Sequence, residues 1–144
     1  MLEQEVAGRL EVALARADEI EAMYRSLVEA LPTITYTEAV DTHCSLSVSP
    51  QIEVVLGYTQ EEWLGNSLLW EELVHPDDRD RVVEACDLAN RSGEPFRAEY
   101  RMIAKDGRVV WIRDEAILVR GSKGKPLCWQ GVMLDISAER QAQA

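Results

Sequence analysis

The stretch PFRAEYRMIAKDGRVVWIRDEAILV, residues 95–119, holds two runs of β-branched and aromatic residues around Lys105-Asp106-Gly107, and their pairing decides what fold the chain can adopt. A plain two-residue turn at Asp106-Gly107 would set Lys105 against Arg108 and Glu99 against Asp114, two like-charge contacts. With Gly107 in the left-handed bulge position of a three-residue loop, Ala104 faces Arg108 and every pair shifts by one. Arg101 then faces Trp111, Glu99 faces Arg113 and Arg97 faces Glu115, so charge selects the second register. One face collects Phe96, Ala98, Tyr100, Met102, Val110, Ile112, Ala116 and Leu118. Asp114 falls at the edge of that apolar face and needs a partner or solvent. The opposite face mixes charges with Ile103, Val109, Trp111 and Ile117, a patch expected to be covered by the N-terminal helix, a second subunit or both.

Working outward, Leu127 to Ile136 reads as a further strand after the turn Gly121-Ser122-Lys123-Gly124. Upstream, Thr33 to Val40 and Cys44 to Val48 form a hairpin across Asp41-Thr42-His43. Between these strand regions lie four short helical segments. Ser49 caps the first, with Pro50 at its first position and Gly57 just past its end. Thr59-Gln60-Glu61-Glu62 is a capping box opening the second, and Ser67 to Val74 is the third. His75-Pro76-Asp77-Asp78 opens the fourth, which runs to Gly93. A histidine ahead of a proline and two carboxylates suits capping better than acid–base chemistry. Five strands with helices clustered between the second and third exclude a doubly wound parallel sheet and specify an antiparallel α+β domain.

Residues 1–31 hold no proline and are rich in Ala, Glu, Leu and Arg, which predicts one long helix. Val6, Leu10, Ala13, Ala17, Ile20, Tyr24, Leu27 and Leu31 alternate intervals of four and three, the period of a coiled coil, with Arg16 and Glu21 at flanking positions that bridge two parallel helices. The alternative is a single amphipathic helix on its own domain. Pro32 ends the element. The predicted organisation is a dimerising helix over 1–31, one domain over 32–137, and the start of an outgoing helix over 138–144.

A formal charge of −11 from 26 acidic and 15 basic residues argues against nucleic acid and anionic lipid as partners. No apolar run is long enough to insert in a membrane, and the acidic start is not a signal peptide, so a cytoplasmic protein is expected. Cys44, Cys86 and Cys128 lack metal or redox spacing. No nucleophile elbow, phosphate loop or metal-spaced His/Glu set is present, and the chain is read as non-catalytic.

Ser49-Pro50-Gln51, Gly57-Tyr58-Thr59 through Trp63-Leu64-Gly65, His75-Pro76-Asp77-Asp78-Arg79, Glu99-Tyr100-Arg101, Lys105-Asp106-Gly107, Trp111-x-Arg113 and Asp135-Ile136-Ser137 together resemble the PAS sensory domains with a C-terminal PAC-type motif, over about residues 24–140. The resemblance implies an antiparallel sheet of order 2-1-5-4-3 with helices over one face enclosing a small cavity. It further implies a sensor or dimerisation module, a homodimer serving a fused or associated kinase, cyclase or phosphodiesterase. Flavin-binding members carry a cysteine where this chain has Leu68 and a glutamine where it has Met133; haem-binding members carry a histidine on the helix here spanning Pro76 to Ser92, which has none. Neither cofactor is expected and none is assigned; a small apolar ligand is the kind such a pocket would take if it takes one. Ile34, Tyr36, Leu46, Val48, Leu68, Trp70, Tyr100, Ile112 and Met133 are the pocket candidates, with a filled core as the alternative. Family precedent pairs the exit-motif Asp135 with Arg113 beside Trp111, a candidate signalling group. A ligand-independent dimerisation and interaction module is the competing function.

Overall fold

Helix formers carry α1 unbroken from Leu2 to Ala30, and Pro32 forces the chain out of helical geometry just after it. The computed structural model describes residues 2–143, and the chain divides after Leu31 into two compact units. On the first unit the heptad side chains Val6, Leu10, Ile20, Tyr24 and Leu27 are all exposed, as are Ala13 and Ala17. Glu21 accepts from Arg25 one turn along the same helix at 3.0 Å.

The second unit is an α+β domain. Strands β1 (Thr33–Glu38), β2 (Ser45–Val48), β3 (Phe96–Ile103), β4 (Val109–Arg120) and β5 (Pro126–Asp135) form one sheet of order β2-β1-β5-β4-β3, with every neighbour antiparallel. This is the order the family resemblance implies. The charge argument for the central hairpin holds: Arg101 lies opposite Trp111, Glu99 opposite Arg113 and Arg97 opposite Glu115. Gly107 sits at φ +90°, and the Ala104 amide donates to the Arg108 carbonyl at 2.8 Å.

Helices α2 (Gln51–Leu56), α3 (Gln60–Gly65), α4 (Leu69–Leu73) and α5 (Pro76–Ser92) link β2 to β3, and α6 (Ser137–Gln143) follows β5. Thr59 and Glu62 form the reciprocal capping box at α3, and His75 Nδ1 accepts from the Asp77 amide at 3.1 Å to cap α5. Two predicted starts shift. Ser49 turns its hydroxyl to the Thr35 amide of β1, which leaves Pro50 to open α2, and α4 begins only at Leu69, after Asn66 accepts from the Leu68 amide. Ile34, Ile52, Leu56, Val74, Val82, Met102 and Ile112 are essentially inaccessible and make the centre of the core between helices and sheet.

α5 is locked to the sheet by one buried carboxylate. Asp78 accepts from the Arg101 amide and from its guanidinium at 2.8–2.9 Å, and these hydrogen bonds hold its pKa down at about 2.

Candidate functional site

The inner face of β1 carries Ile34, Tyr36 and Glu38 at alternate positions, and the last two reach a cavity of about 190 Å³ between the sheet and the helices. Its walls come from all five strands and three helices, with His43 and Ser67 from the connecting segments. α3 gives Trp63, α4 gives Trp70, α5 gives Cys86 and Asn90, β4 gives Asp114 and Ala116, and β5 gives Trp129 and Met133. The rim, open to solvent, includes His43, Ser67, Glu71 and Asp87.

Asp114 is the polar centre, only 2% exposed. Tyr36 donates to its Oδ1 at 2.5 Å and Tyr100 to its Oδ2 at 2.6 Å, while Trp70 Nε1–H donates to the Tyr100 oxygen at 2.8 Å. The Trp70 and Tyr100 rings meet edge to face. Tyr100 reaches Asp114 as a diagonal neighbour, since Ala98 is the residue directly opposite. Tyr36 must cross a whole strand: its β5 partner is Gly131, and a methyl group there would overlap the Tyr36 ring. Gly131 is therefore a glycine for want of space, and the space is what brings two phenols to one carboxylate.

Burial pushes Asp114 up to about 6, against the downward pull of its two phenol hydrogen bonds. Glu38 is pushed to about 7, by burial first and then by the nearby Asp114 charge. Burial and the same carboxylates push the Cys86 thiol to about 12, so it stays protonated at neutral pH and is neither a nucleophile nor a thiolate ligand. Trp63 is buried, and its Nε1–H has no hydrogen-bond partner among the described residues.

Of the nine pocket candidates, Tyr36, Trp70 and Met133 line the cavity. Ile34, Val48, Tyr100 and Ile112 are buried in the surrounding core, Tyr100 touching the site through Asp114. Leu46 and Leu68 lie at the surface, 58% and 59% exposed, because β2 is an edge strand and Leu68 precedes the helix that turns inward. With Leu68 outside and no histidine on α5, the residues present offer neither the thiol of the flavin motif nor the imidazole of the haem motif. Sequence reasoning singled out Asp114 as the doubtful inward charge but missed Glu38, Trp63, Cys86 and Trp129. The alternation Ile34-x-Tyr36-x-Glu38 was the available signal for the first of these.

On the opposite face, α6 is clamped to the central strands. The Ile136 amide donates to the Trp111 carbonyl and Ser137 Oγ accepts from the Trp111 amide, at 2.9 and 3.0 Å. Arg140 lies over the Trp111 ring, 4.1 Å from its centre, and pairs with Glu99 at 3.1 Å; Arg101 approaches the same ring at 5.5 Å. Arg113 pairs with Glu99 and Glu139, whereas Asp135 accepts from the Ser137 amide at 2.9 Å. The expected Asp135–Arg113 pair is thus replaced: Glu99 lies directly opposite Arg113 in the hairpin, and Asp135 orders the turn into α6. Val109 and Ile117 of the outer patch are more than half exposed.

The family model for the PAS fold matches residues 45–133. The chain is 34% identical over 89 residues, 61% of its length, to a methyl sulfide methyltransferase-associated sensor of Methanosarcina acetivorans, and covers 9% of that protein. It is 30% identical over 69% of its length to the sensor protein FixL of Bradyrhizobium diazoefficiens, covering 19% of that relative. The chain thus spans less than a fifth of either curated relative. Among solved structures, the N-terminal domain of a diguanylate cyclase with PAS/PAC sensor from Marinobacter aquaeolei superposes with a TM-score of 0.68 at 35% identity, covering 75% of this chain and 98% of that one. A sensory box histidine kinase/response regulator from Burkholderia thailandensis shares the fold at 22% identity, with a TM-score of 0.64 over 83% of this chain and 88% of that one.

Proposed function

We propose, for a chain that belongs to the PAS family, that it is a non-catalytic sensory module whose cavity occupancy sets how firmly the outgoing helix α6 is held, and that it acts as a homodimer through α1. Membership in the family and the sensors among its relatives support a role in signal transduction. One observation carries the finer reading: the same two strands, β3 and β4, wall the cavity on one face and grip α6 on the other. Asp114 and Ala116 of β4 line the cavity, while Trp111 and Arg113 of β4 and Glu99 of β3 hold Ile136, Ser137, Glu139 and Arg140. A ligand that repacks the inner face would change the population of docked α6 only so far as it binds the two arrangements differently. The downstream partner would be a kinase, a diguanylate cyclase or a similar effector, fused or associated.

The α1 stripe supports dimerisation, since a helix with apolar residues every three and four positions that exposes them all gains little as a monomer. Native mass spectrometry with hydrogen exchange tests both parts. A dimer is expected, and Ala116→Leu, which fills the cavity from its floor, is expected to change α6 amide protection several-fold. A monomer would refute the helix pairing, and unchanged α6 exchange in a folded Ala116→Leu protein would refute the sensing role and leave an interaction module.

A further inference from the structure

The charge of the cavity lining points to a ligand class that sensing alone does not name. Four of the described lining residues are carboxylates, Glu38, Glu71, Asp87 and Asp114, and none is lysine or arginine. Asp114 is satisfied by two phenols, but Glu38 has no hydrogen-bond or ion-pair partner among the described residues, although it is half-buried. An anion entering this space would meet only like charge. A neutral apolar ligand would strip the remaining water from Glu38 and return nothing to it.

The walls suit the opposite charge. Tyr36, Trp63, Trp70, Phe96 and Trp129 line the same space, and aromatic faces attract organic cations through their negative π surface. Trp63 and Trp129 are themselves buried, so a cation among these rings would be held away from bulk water, where the attraction is stronger. The size is also limiting. A cavity of about 150 Å³ takes up benzene, so one of about 190 Å³ has room for roughly seven or eight non-hydrogen atoms.

We propose that this cavity binds a small organic ammonium compound, with its cation between Glu38, Asp114 and the aromatic walls. The inference rests on the sensing reading and goes beyond it, since the sequence alone suggests an apolar ligand.

The test is calorimetric titration of the full chain at about 0.15 M salt, followed in parallel by tryptophan fluorescence, with three probes. These are choline, ethanolamine, and the neutral compound in which carbon replaces the ammonium nitrogen of choline. One saturable site for at least one of the two ammonium probes is expected, with the neutral isostere weaker by about tenfold or more, and Glu38→Gln weakening the ammonium probe about tenfold while the protein remains folded. Should Glu38→Gln not fold, Glu71→Gln with Asp87→Asn at the exposed rim gives the same reading, with a loss of about threefold. Equal binding of choline and its isostere, no saturable binding of either ammonium probe at millimolar concentration, or binding indifferent to these carboxylates would each overturn the assignment. Cavity filling that shifts α6 exchange while both ammonium probes fail would sink the charge assignment alone; unchanged α6 exchange would remove the sensing reading beneath it.

Discussion

Replacing Asp114 by Asn removes a buried charge beside the cavity while keeping its shape, and the consequence can be worked through from its surroundings. In the folded protein the carboxyl titrates at about 6, raised chiefly by burial from its ordinary 3.8. A raised carboxyl binds its proton more tightly folded than unfolded. Its favourable contribution is therefore complete below about pH 4 and is lost as pH rises through about 6. Two pH units at 1.36 kcal/mol each make a total of about 3 kcal/mol, of which roughly 1.5 kcal/mol falls between pH 5 and 8. That window lies above the isoelectric point of about 4.6, where the acidic chain stays soluble. Glu38 pushes in the same direction, and part of its elevation is the Asp114 charge itself, so the substitution relieves both. Urea unfolding at pH 5, 6, 7 and 8 should show wild type losing about 1.5 kcal/mol relative to Asp114→Asn across the series, with the variant the more stable at pH 8. Parallel stability curves would mean that the carboxylate is compensated by something other than the two phenols, and the reasoning about the cavity's charge would go with it.

Three other outcomes follow from single contacts. Gly131→Ala should cost about 3 kcal/mol, because the added methyl evicts the Tyr36 ring, whereas Gly124→Ala, at a turn with open space around it, should cost about 1 kcal/mol through its left-handed backbone alone; chemical denaturation separates them. Asp78→Asn should cost about 2–3 kcal/mol at neutral pH, since it breaks charge-assisted bonds to Arg101, and the deficit should fade as pH falls from about 4 toward 2, where wild type loses the same charge. Asp135→Ala should speed amide exchange in α6 about fivefold, a loss near 1 kcal/mol at the turn, and leave the cavity's ligand affinity intact when exchange and titration are compared.

How far the sequence spoke depended on the range of the interaction. The central hairpin was legible because its register is decided by neighbours: Glu99 against Arg113 and Arg97 against Glu115 are local charge pairs, and Gly107 is the only residue of the loop at ease with φ +90°. The caps at Thr59 and His75 were legible for the same reason. The cavity was not, because it is assembled from all five strands, three helices and the segments between them. Leu46 and Leu68 looked like pocket residues by hydrophobicity and lie outside, since nothing local says which strand is an edge or where α4 will begin. Glu38 was passed over as a polar strand residue although its alternation with Tyr36 put it inward.

The partner of Arg113 shows the same limit at the output end and bears on how a signal would leave. Family precedent offered Asp135, but Glu99 is directly across the hairpin and wins by position, which leaves Asp135 free to shape the turn. Glu99 then holds two arginines at once, Arg113 of β4 and Arg140 of α6, and Arg140 in turn covers Trp111. These pairs are half-exposed and screened by water, so each contributes little by itself. Weak individual pairs are what the proposed release of α6 would require. A clamp of a few such contacts can be shifted by a differential ligand affinity of one or two kcal/mol, whereas a buried, fully satisfied interface could not. Of the stronger interactions, the two phenols on Asp114 lie on the other side of the same strands, whereas Asp78 grips Arg101 beside the Trp111 ring that Arg140 covers, so the clamp stands next to a firm anchor on its own face.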